Sequence, residues 1–171
     1  LCEGSPWNLT EYYASLRDRP VVSDYIRVLE TGKPAHWSGL EEAEDDWHGA
    51  MLQEDFARTF TAAMDCRGVF LGKKLADTIG DLLVARRRVL DIGGGSGVYA
   101  CALVANAPHL EAFVLEQEPV DAIAREMVRE RNFEDRVRVE VGNMFADAWP
   151  LECDLHLFSN VMHDWDRPEI V

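Results

Sequence analysis

The sequence lacks the features typical of a metal-binding, disulfide-stabilised or membrane-spanning protein. Its four cysteines are scattered and form no CxxC pair, so they predict neither a metal site nor a disulfide framework. No apolar run approaches the length of a membrane-spanning helix, and the chain does not open on a charged segment followed by an apolar one. We therefore expect a cytoplasmic protein that binds no metal ion and enters no membrane.

Basic residues are scarce relative to acidic ones. The chain has 17 Lys and Arg against 31 Asp and Glu, which gives a net charge of −14. A surface this acidic repels the phosphates of nucleic acids and anionic lipids, so it argues against both as partners and favours a cationic small molecule. With 171 residues, of which 47% are hydrophobic, the chain is large and apolar enough to form a packed domain.

The pattern of apolar residues divides the chain in two. Residues 1–85 show helical spacing and no clear strand, which predicts a helical segment on the substrate side. Within it, a stripe from Trp47 to Met64 predicts one amphipathic helix that ends at Gly68, with a further helix after it. In residues 86–171, short apolar strands alternate with helices, which is typical of an α/β domain with a parallel sheet.

Four strands are predicted in this second part. The third, Val137–Val141, carries charged residues at alternate positions, as an edge strand does. This indicates a Rossmann-like, doubly wound sheet of strand order 3-2-1-4. Ligands of such sheets bind at the carboxyl ends of the strands, where the order reverses between the first and fourth strands. Gly93 and His163 each follow one of these two strands.

The chain is also predicted to be a fragment. It starts at Leu1 without an initiator methionine, and it stops at Val171 where a helix begins. Four strands would leave the fourth as an exposed apolar edge, which favours aggregation in a complete protein. We therefore expect the remaining strands to come from residues after Val171.

A glycine-rich segment, residues 91–97 (DIGGGSG), joins the first strand to the next helix. Glycine is needed where the backbone turns sharply or approaches a ligand closely. Glu116 ends the second strand about twenty residues further on, where a carboxylate can accept hydrogen bonds from a ribose diol. The combination predicts a cofactor that contains a nucleoside.

Two cofactors compete for this pattern. Residues 95–100 fit the GxGxxA pattern of nicotinamide dinucleotide sites, but the match begins two residues late, and Asp91 would point its charge toward the pyrophosphate. S-adenosylmethionine has no phosphate, and an acidic pocket attracts its ammonium and sulfonium. The residues therefore favour S-adenosylmethionine, and a glycine turn that only packs closely is the remaining alternative.

Four motifs between Val89 and Trp165 resemble, in order and spacing, those of the caffeate- and acetylserotonin-type O-methyltransferases, which are S-adenosylmethionine-dependent class I enzymes. The motifs are VLDIGGGSG, VLEQEPV, VGNMF and LFSNVMHDW. The resemblance implies methyl transfer to a hydroxyl of a small aromatic acceptor. It also implies a homodimer in the full-length protein, formed through an N-terminal winged-helix region that would precede Leu1. Acidic residues that orient the catalytic base would follow Val171, so we expect the isolated chain not to be fully active.

The resemblance further assigns the residues of the cofactor site. It places the methionine part of the cofactor at the glycines, Met144 and Phe145 beside the adenine, and Trp165 over the cofactor. Asn143 stands where the family often has Asp, and we expect binding to survive because the amide keeps an acceptor. The short Ser159 stands where plant members carry Lys, and leaves that contact without a match. The implied cofactor-binding residues are Asp91 (near the ammonium), Gly93, Gly94, Gly95, Glu116 (at the ribose), Gln117, Asn143, Met144, Phe145, Ser159 and Trp165.

His163 matches the family's catalytic base. A phenol has a pKa of about 10, and a histidine with a pKa of about 6.5 is neutral often enough near pH 7 to remove its proton. The alternative is that His163 only precedes a helix, because Asp166 and Glu169 form a plausible capping box. His156, inside the fourth strand, is predicted to be a core residue.

The segment FTAAM, residues 60–64, resembles the substrate-side helix of the same family. Phe60 and Met64 are therefore predicted either to belong to the core or to wall an apolar acceptor pocket. Relatives of this fold also include hydroxylases and decarboxylases. Other chemistry with the same cofactor, or a binding fragment without catalysis, are thus the alternatives to methyl transfer.

Overall fold

The computed structural model describes residues 14, 16, 20–32, 47–150 and 152–165. The chain forms two compact units, residues 1–47 and 48–171. In the first unit, helix α1 (Pro20–Thr31) begins with a proline, which suits a first helical position. It ends at Gly32, which has a φ of 68° and donates its N–H to the Val28 carbonyl oxygen at 2.9 Å.

Three helices lead to the sheet: α2 (Trp47–Met51), α3 (Glu54–Thr78) and α4 (Gly80–Val84). The prediction of one helix that runs from Trp47 and ends at Gly68 is wrong. The chain turns after Met51, and α3 continues through Gly68 for 25 residues in all. Gly68 is buried against Val98, where an added Cβ would overlap the Cγ1 atom. This glycine therefore serves close helix packing and does not end the helix.

Replacing Gly68 with alanine tests this role. Helix propensity alone would make the change stabilising by about 1 kcal/mol, but the overlap with Val98 predicts a net loss of about 1–3 kcal/mol in the free energy of unfolding. Urea unfolding of the chain measures this loss. The control is Gly80→Ala, because a Cβ there would lie 3.8 Å from its nearest neighbour, Oδ1 of Asn106. A Gly68→Ala variant as stable as the parent would contradict the packing role.

The sheet is parallel, and its strand order is β3-β2-β1-β4. This confirms the predicted order 3-2-1-4 and the Rossmann-like fold class. The elements that build it are, in chain order, β1 (Arg88–Ile92), α5 (Val98–Asn106), β2 (Glu111–Glu116), α6 (Val120–Glu130), β3 (Val137–Val141) and β4 (Leu155–Leu157), followed by a 3-10 turn (Met162–Asp164).

The main core lies between one face of the sheet and helices α5 and α6. Val89 and Val114 are fully buried on the sheet, and Leu103 and Val104 meet them from α5. Burying each such side chain contributes roughly 1.5–3 kcal/mol. Helix α3 packs against both α5 and α6, so the helices form a layer that supports the strands and the turns between them.

The other face of the sheet is covered by the segment that follows β3. Leu90 and Ile92 are fully buried there, with Trp149 packed against them. The prediction that His156 is a core residue is wrong, because its side chain is exposed. β4 is an edge strand of the described sheet, where the imidazole and the Trp149 ring meet edge to face at a centroid distance of 5.6 Å. Among the described residues, no helix combines the length and apolarity needed to cross a bilayer.

Candidate active site

The turn between β1 and α5 is built by glycines in the left-handed region. Gly93, Gly95 and Gly97 have φ values of 63°, 57° and 72°, which side chains with a Cβ rarely adopt. The N–H of Gly93 donates to the carbonyl oxygen of Leu115 at 2.9 Å and ties the turn to β2. A Cβ added at Gly95 would meet no described atom within 4 Å, so the turn borders open space at this point.

Gly94 lies directly on a buried carboxylate. A Cβ at this position would be 2.7 Å from Cγ of Asp91 and 3.0 Å from Cγ1 of Val114. Asp91 is fully buried, and neither of its carboxylate oxygens has a hydrogen-bond partner among the described residues. Burying an unpaired carboxylate costs free energy of folding. Its position beneath the turn therefore indicates a functional role for Asp91.

The environment of Asp91 brings its titration close to neutral pH. Burial raises the pKa of this carboxyl from 3.8 to about 7. The backbone N–H of Ala100 opposes the rise without reaching normal hydrogen-bond geometry, and the Glu116 carboxylate adds to the rise. A cation bound at the turn would favour the ionised form of Asp91 and lower its pKa again.

Glu116, at the end of β2, faces the glycine turn. Its Oε1 accepts the N–H of Gly95 at 2.8 Å, and its Oε2 accepts the N–H of Gln117 at 3.1 Å. Burial raises the pKa of the Glu116 carboxyl, and these two N–H groups lower it. Each carboxylate oxygen can accept a second hydrogen bond, so the group still has acceptor capacity for two hydroxyls. The side chain of Gln117 is exposed.

The loop after β3 is held by internal hydrogen bonds, three of which involve side chains. Oδ1 of Asn143 accepts the N–H of Phe145 at 2.9 Å, and Oδ2 of Asp147 accepts the N–H of Asn143 at 2.7 Å. The indole N–H of Trp149 donates to the carbonyl oxygen of Met144 at 2.8 Å. The acceptor of Asn143 is thus already engaged within the loop, which fixes the backbone on which Met144 and Phe145 stand.

The segment after β4 carries the candidate base. Val161 is 7% exposed, and its side chain lies over Gly93, where an added Cβ would be 2.8 Å from Cγ2 of Val161. His163 follows in the 3-10 turn and is exposed. The structure therefore places His163 two residues after Val161, which contacts the glycine turn, and leaves the His163 side chain exposed. The proposed capping box at Asp166 and Glu169 lies outside the described residues.

Two aromatic rings meet on the other side of this segment. Trp165 is half-buried, and its ring meets the edge of Phe145 at a centroid distance of 4.6 Å and an interplanar angle of 71°. Ser159, also half-buried, lies between β4 and the 3-10 turn. The family resemblance implies that Phe145 lies beside the adenine and Trp165 over the cofactor, and the fold brings these two rings into contact.

These segments form a closed ring at the carboxyl edge of the sheet. The glycine turn, Glu116, the loop after β3 and the segment that carries His163 each touch the next. The contacts that close the ring are the N–H of Gly95 with Glu116, the N–H of Gly142 with the Glu116 carbonyl oxygen at 3.0 Å, Phe145 with Trp165, and Val161 with Gly93.

Phe60 and Met64 lie on α3, away from its fully buried stripe. Both are half-buried, and the Phe60 ring stacks on Phe56 at 6.3 Å. Met64 precedes Gly68 by one helical turn, and Gly68 contacts Val98 at the start of α5. The two side chains therefore stand on the flank of a helix that passes the end of the glycine turn. The stripe that α3 buries instead consists of Ala57, Thr61, Asp65, Gly68, Gly72 and Ala76.

Sequence reasoning missed three residues that hold the site together. Val161 lies in the motif that contains His163 and was not singled out. Its apolar side chain in the loop after β4 is the sequence signal that could have indicated packing against the glycine turn. Asp147 and Trp149 fix the loop after β3 through bonds to backbone atoms. No sequence pattern indicates those two bonds, because their partners are main-chain groups.

Comparison with known proteins identifies the family. The sequence profile of the O-methyltransferase domain matches residues 36–171. The chain belongs to the O-methyltransferase family. The enzymes of this family use S-adenosylmethionine as the methyl donor, which confirms the resemblance described above and the predicted cofactor class.

Individual relatives show how much of the sequence is shared. A 3-hydroxy-5-methyl-1-naphthoate 3-O-methyltransferase from Streptomyces sahachiroi is 29% identical over 74% of this chain and 32% of its own length. An aclacinomycin 10-hydroxylase from Streptomyces purpurascens is 30% identical over 82% of this chain and 36% of its own length. The chain thus spans about a third of these relatives.

A solved structure matches almost the whole chain. It is an O-methyltransferase family 2 protein from Planctomyces limnophilus in complex with apigenin, and it superimposes with a TM-score of 0.70 and 26% identity. The match covers 99% of this chain and 47% of that protein. The class I methyltransferase fold is therefore shown for the described sheet and its helices.

The residues of this chain fit S-adenosylmethionine on two structural observations. The carboxylate of Asp91, which has no hydrogen-bond partner within the described part of the chain, supplies negative charge beneath the turn, which suits an ammonium or sulfonium and disfavours a pyrophosphate. The turn is also open at Gly95, beside the Glu116 carboxylate, whose remaining acceptor capacity suits the hydroxyls of a ribose. Among the described residues, no group of three or more His, Cys, Asp or Glu side chains is arranged to hold a metal ion.

Proposed function

We propose that the full-length protein transfers a methyl group from S-adenosylmethionine to a hydroxyl of a small aromatic acceptor, with His163 as the general base. The observation that carries this proposal is the closed ring of contacts at the carboxyl edge of the sheet. The ring includes the Glu116 carboxylate, has the buried carboxylate of Asp91 beneath its glycine turn, and contains the segment on which exposed His163 follows Val161, and this arrangement supports the proposal. The naphthoate in the name of one relative and the apigenin bound in a similar structure support an aromatic acceptor.

S-adenosylmethionine supplies an electrophilic methyl group on a positively charged sulfur. The chain has to hold that cofactor, orient the acceptor oxygen and remove its proton. The neutral imidazole of His163 accepts the proton of the acceptor hydroxyl, which converts a weak nucleophile with a pKa of about 10 into a phenolate. Orientation of the oxygen in line with the methyl group supplies much of the remaining rate enhancement.

Each segment of the ring has a role in holding the cofactor. The backbone of Gly93, Gly94 and Gly95 lines the methionine part, and Asp91 acts through its charge from beneath the turn. Glu116, with Gln117 beside it, binds the ribose hydroxyls through the acceptor capacity that remains on its carboxylate.

The adenine side of the site is formed by the loop after β3. Met144 and Phe145 flank the ring, and Trp165, in contact with Phe145, covers the cofactor. Oδ1 of Asn143 already accepts the N–H of Phe145, which holds this side chain against its own loop, although the NH₂ group and the second lone pair of Oδ1 keep hydrogen-bonding capacity. We therefore assign Asn143 chiefly to shaping the loop, and Ser159 to the border of the site.

The acceptor side is assigned to α3. Phe60 and Met64 are half-buried on its flank, whereas the fully buried stripe consists of small and polar residues. An apolar flank that remains partly open next to a cofactor site is suited to an aromatic ring. We propose that Phe60 and Met64 wall the acceptor pocket in the full-length protein.

Cofactor binding at two pH values tests the proposed site. Because the free Asp91 carboxyl has a pKa of about 7, it is largely protonated at pH 6.0 and largely ionised at pH 7.5. Binding of the ammonium of S-adenosylhomocysteine favours the ionised form, so binding releases a proton and affinity rises with pH. Titration calorimetry is expected to show binding that is tighter at pH 7.5 than at pH 6.0 by up to roughly eightfold. This factor is the ratio of the ionised fractions of a carboxyl with a pKa of about 7 at the two pH values.

The matched variant is Asp91→Asn, which keeps the shape of the side chain and removes its titration. It is expected to bind S-adenosylhomocysteine more weakly at pH 7.5 and with no rise between the two pH values. NAD⁺ serves as the comparison ligand, and binding of NAD⁺ in place of S-adenosylhomocysteine would overturn the cofactor assignment for this chain. Equal pH dependence in both proteins would remove Asp91 from the site.

A second candidate function is hydroxylation with the same fold, because a relative that is 30% identical is named an aclacinomycin 10-hydroxylase. Mass analysis of the product of the full-length protein separates the two. A gain of one methyl group supports the transferase, and a gain of one oxygen atom supports the hydroxylase.

The remaining assignments follow from the same proposal. We propose a homodimer in the full-length protein, which light scattering would measure, and a functional division between residues 1–85 on the substrate side and 86–171 on the cofactor side. We also propose a cytoplasmic location, which is compatible with the free thiols of Cys66, Cys101 and Cys153.

A further inference from the structure

Val161 contacts the glycine turn and precedes the candidate base by two residues. Hydrogen-bonded pairing of β4 with β1 ends where Leu157 lies opposite Asp91. The chain then bends, with Asn160 at a φ of 56°, and Val161 returns to the sheet edge with 7% exposure. Two residues later comes His163, on the 3-10 turn.

The partner of Val161 in this position is Gly93. Because Gly93 has no Cβ, the valine side chain can lie directly on the backbone of the turn, with Cγ2 2.8 Å from the point that a Cβ would occupy. Gly93 is itself fixed, since its N–H donates to the Leu115 carbonyl oxygen. A branched side chain with a restricted χ1 angle is therefore seated on a backbone that is held in place.

We propose that Val161 is a positioning residue that transmits the location of the glycine turn to His163. The 3-10 turn stands between two contacts: Val161 on Gly93 before it, and Trp165 on Phe145 after it. The first contact sets the distance between the cofactor's methionine end and the imidazole. This inference rests on the proposed role of His163 as the base.

The proposal has a physical consequence for catalysis. A misplacement of about 1 Å can reduce a reaction rate by as much as 10²-fold, and shortening Val161 to alanine removes the two methyl groups that rest on the turn. Cofactor binding is unaffected to first order, because the backbone of the turn and the Glu116 carboxylate keep their contacts. The effect therefore appears in kcat and not in the dissociation constant of the cofactor.

The test is a double-mutant cycle in the full-length protein with Val161→Ala and His163→Ala. Val161→Ala alone is expected to lower kcat by about tenfold or more, with the dissociation constant of S-adenosylhomocysteine changed less than about twofold. In the His163→Ala background, Val161→Ala is expected to change kcat by less than about twofold, because residues that act as a unit are not additive. Val161→Ile, which keeps a branched side chain, is expected to retain most of the activity.

Val137→Ala is the matched control, because Val137 is a similarly buried valine on β3, at 2% exposure and outside the site. Both alanine variants lose a comparable buried volume, so a purely structural effect would lower kcat in both. The imidazole resonance of His163, identified by its loss in His163→Ala, is expected to shift in Val161→Ala and to stay in place in Val137→Ala. This second measurement needs no turnover.

The outcomes separate the inference from the proposed function. If His163→Ala leaves kcat unchanged, both the role of His163 as the base and the positioning role of Val161 are overturned. If His163→Ala lowers kcat but Val161→Ala has no effect, or has the same effect in both backgrounds, the positioning role alone is overturned. An imidazole resonance that does not move in Val161→Ala would overturn it as well.

Discussion

Replacing His163 with alanine in the full-length protein is expected to lower the rate of methyl transfer by about 10²-fold or more. The remaining activity reflects cofactor and acceptor held in proximity without a base to ionise the hydroxyl. The dissociation constant of S-adenosylhomocysteine should change less than about twofold, because His163 lies on the exposed side of its turn and the buried contact to Gly93 comes from Val161. Single-turnover kinetics and calorimetry measure the two quantities separately.

His156→Ala is the control for this experiment. His156 is an exposed histidine on β4, seven residues before His163, and its ring meets only the edge of Trp149 among the ring contacts described. Its removal should leave methyl transfer close to that of the parent. Equal rates for His163→Ala and the parent protein would exclude a base at this position. An acceptor whose hydroxyl is already ionised should also react equally fast with both proteins if the histidine acts only on the proton.

The second large effect is expected from Gly94→Ala. The added Cβ would lie 2.7 Å from Cγ of Asp91 and 3.0 Å from Cγ1 of Val114, and both neighbours are fully buried. Since neither can move aside, the turn has to shift, at a cost of about 1–3 kcal/mol in the free energy of unfolding. Cofactor affinity is expected to fall by at least about 10²-fold, because the backbone that lines the methionine part is displaced.

Thermal unfolding and calorimetry with S-adenosylhomocysteine check both parts of this prediction. The clash with Asp91 can be isolated by adding Asp91→Ala, which removes the closest atoms. Gly94→Ala should then destabilise the protein less than it does in the parent, although cofactor binding is not restored. If Gly94→Ala costs the same with and without the Asp91 carboxylate, the contact between them is not the cause.

Much of the fold follows from local patterns. The alternation of charged and apolar residues in β3 is sufficient to place that strand at the edge, and the order β3-β2-β1-β4 follows from it. The helix that begins at Pro20 and ends at Gly32 likewise follows from residues with strong conformational preferences. These features depend on backbone dihedral preferences and on solvent exposure, both of which act over a few residues.

Gly68 shows where local reasoning fails. A glycine within a helical pattern predicts a helix end, but in the structure it is buried in the middle of α3 against Val98. A glycine can thus either end a helix or allow close packing within one. At Gly68 the outcome depends on Val98, thirty positions further along the chain. The exposure of His156 has a similar origin, because burial of an edge strand depends on which elements cover it.

The chemistry of the candidate site was encoded in the sequence alone. The glycine turn and the carboxylates of Asp91 and Glu116 were enough to favour the cofactor, because charge and backbone freedom are properties of single residues, and the four motifs were enough to indicate the family. Tertiary structure decided how these residues meet. It buried Asp91 with no hydrogen-bond partner among the residues that the structure describes, turned Glu116 onto the N–H of Gly95 and packed Val161 on Gly93. Such contacts join residues that are far apart in the sequence, so they form only when the whole chain packs.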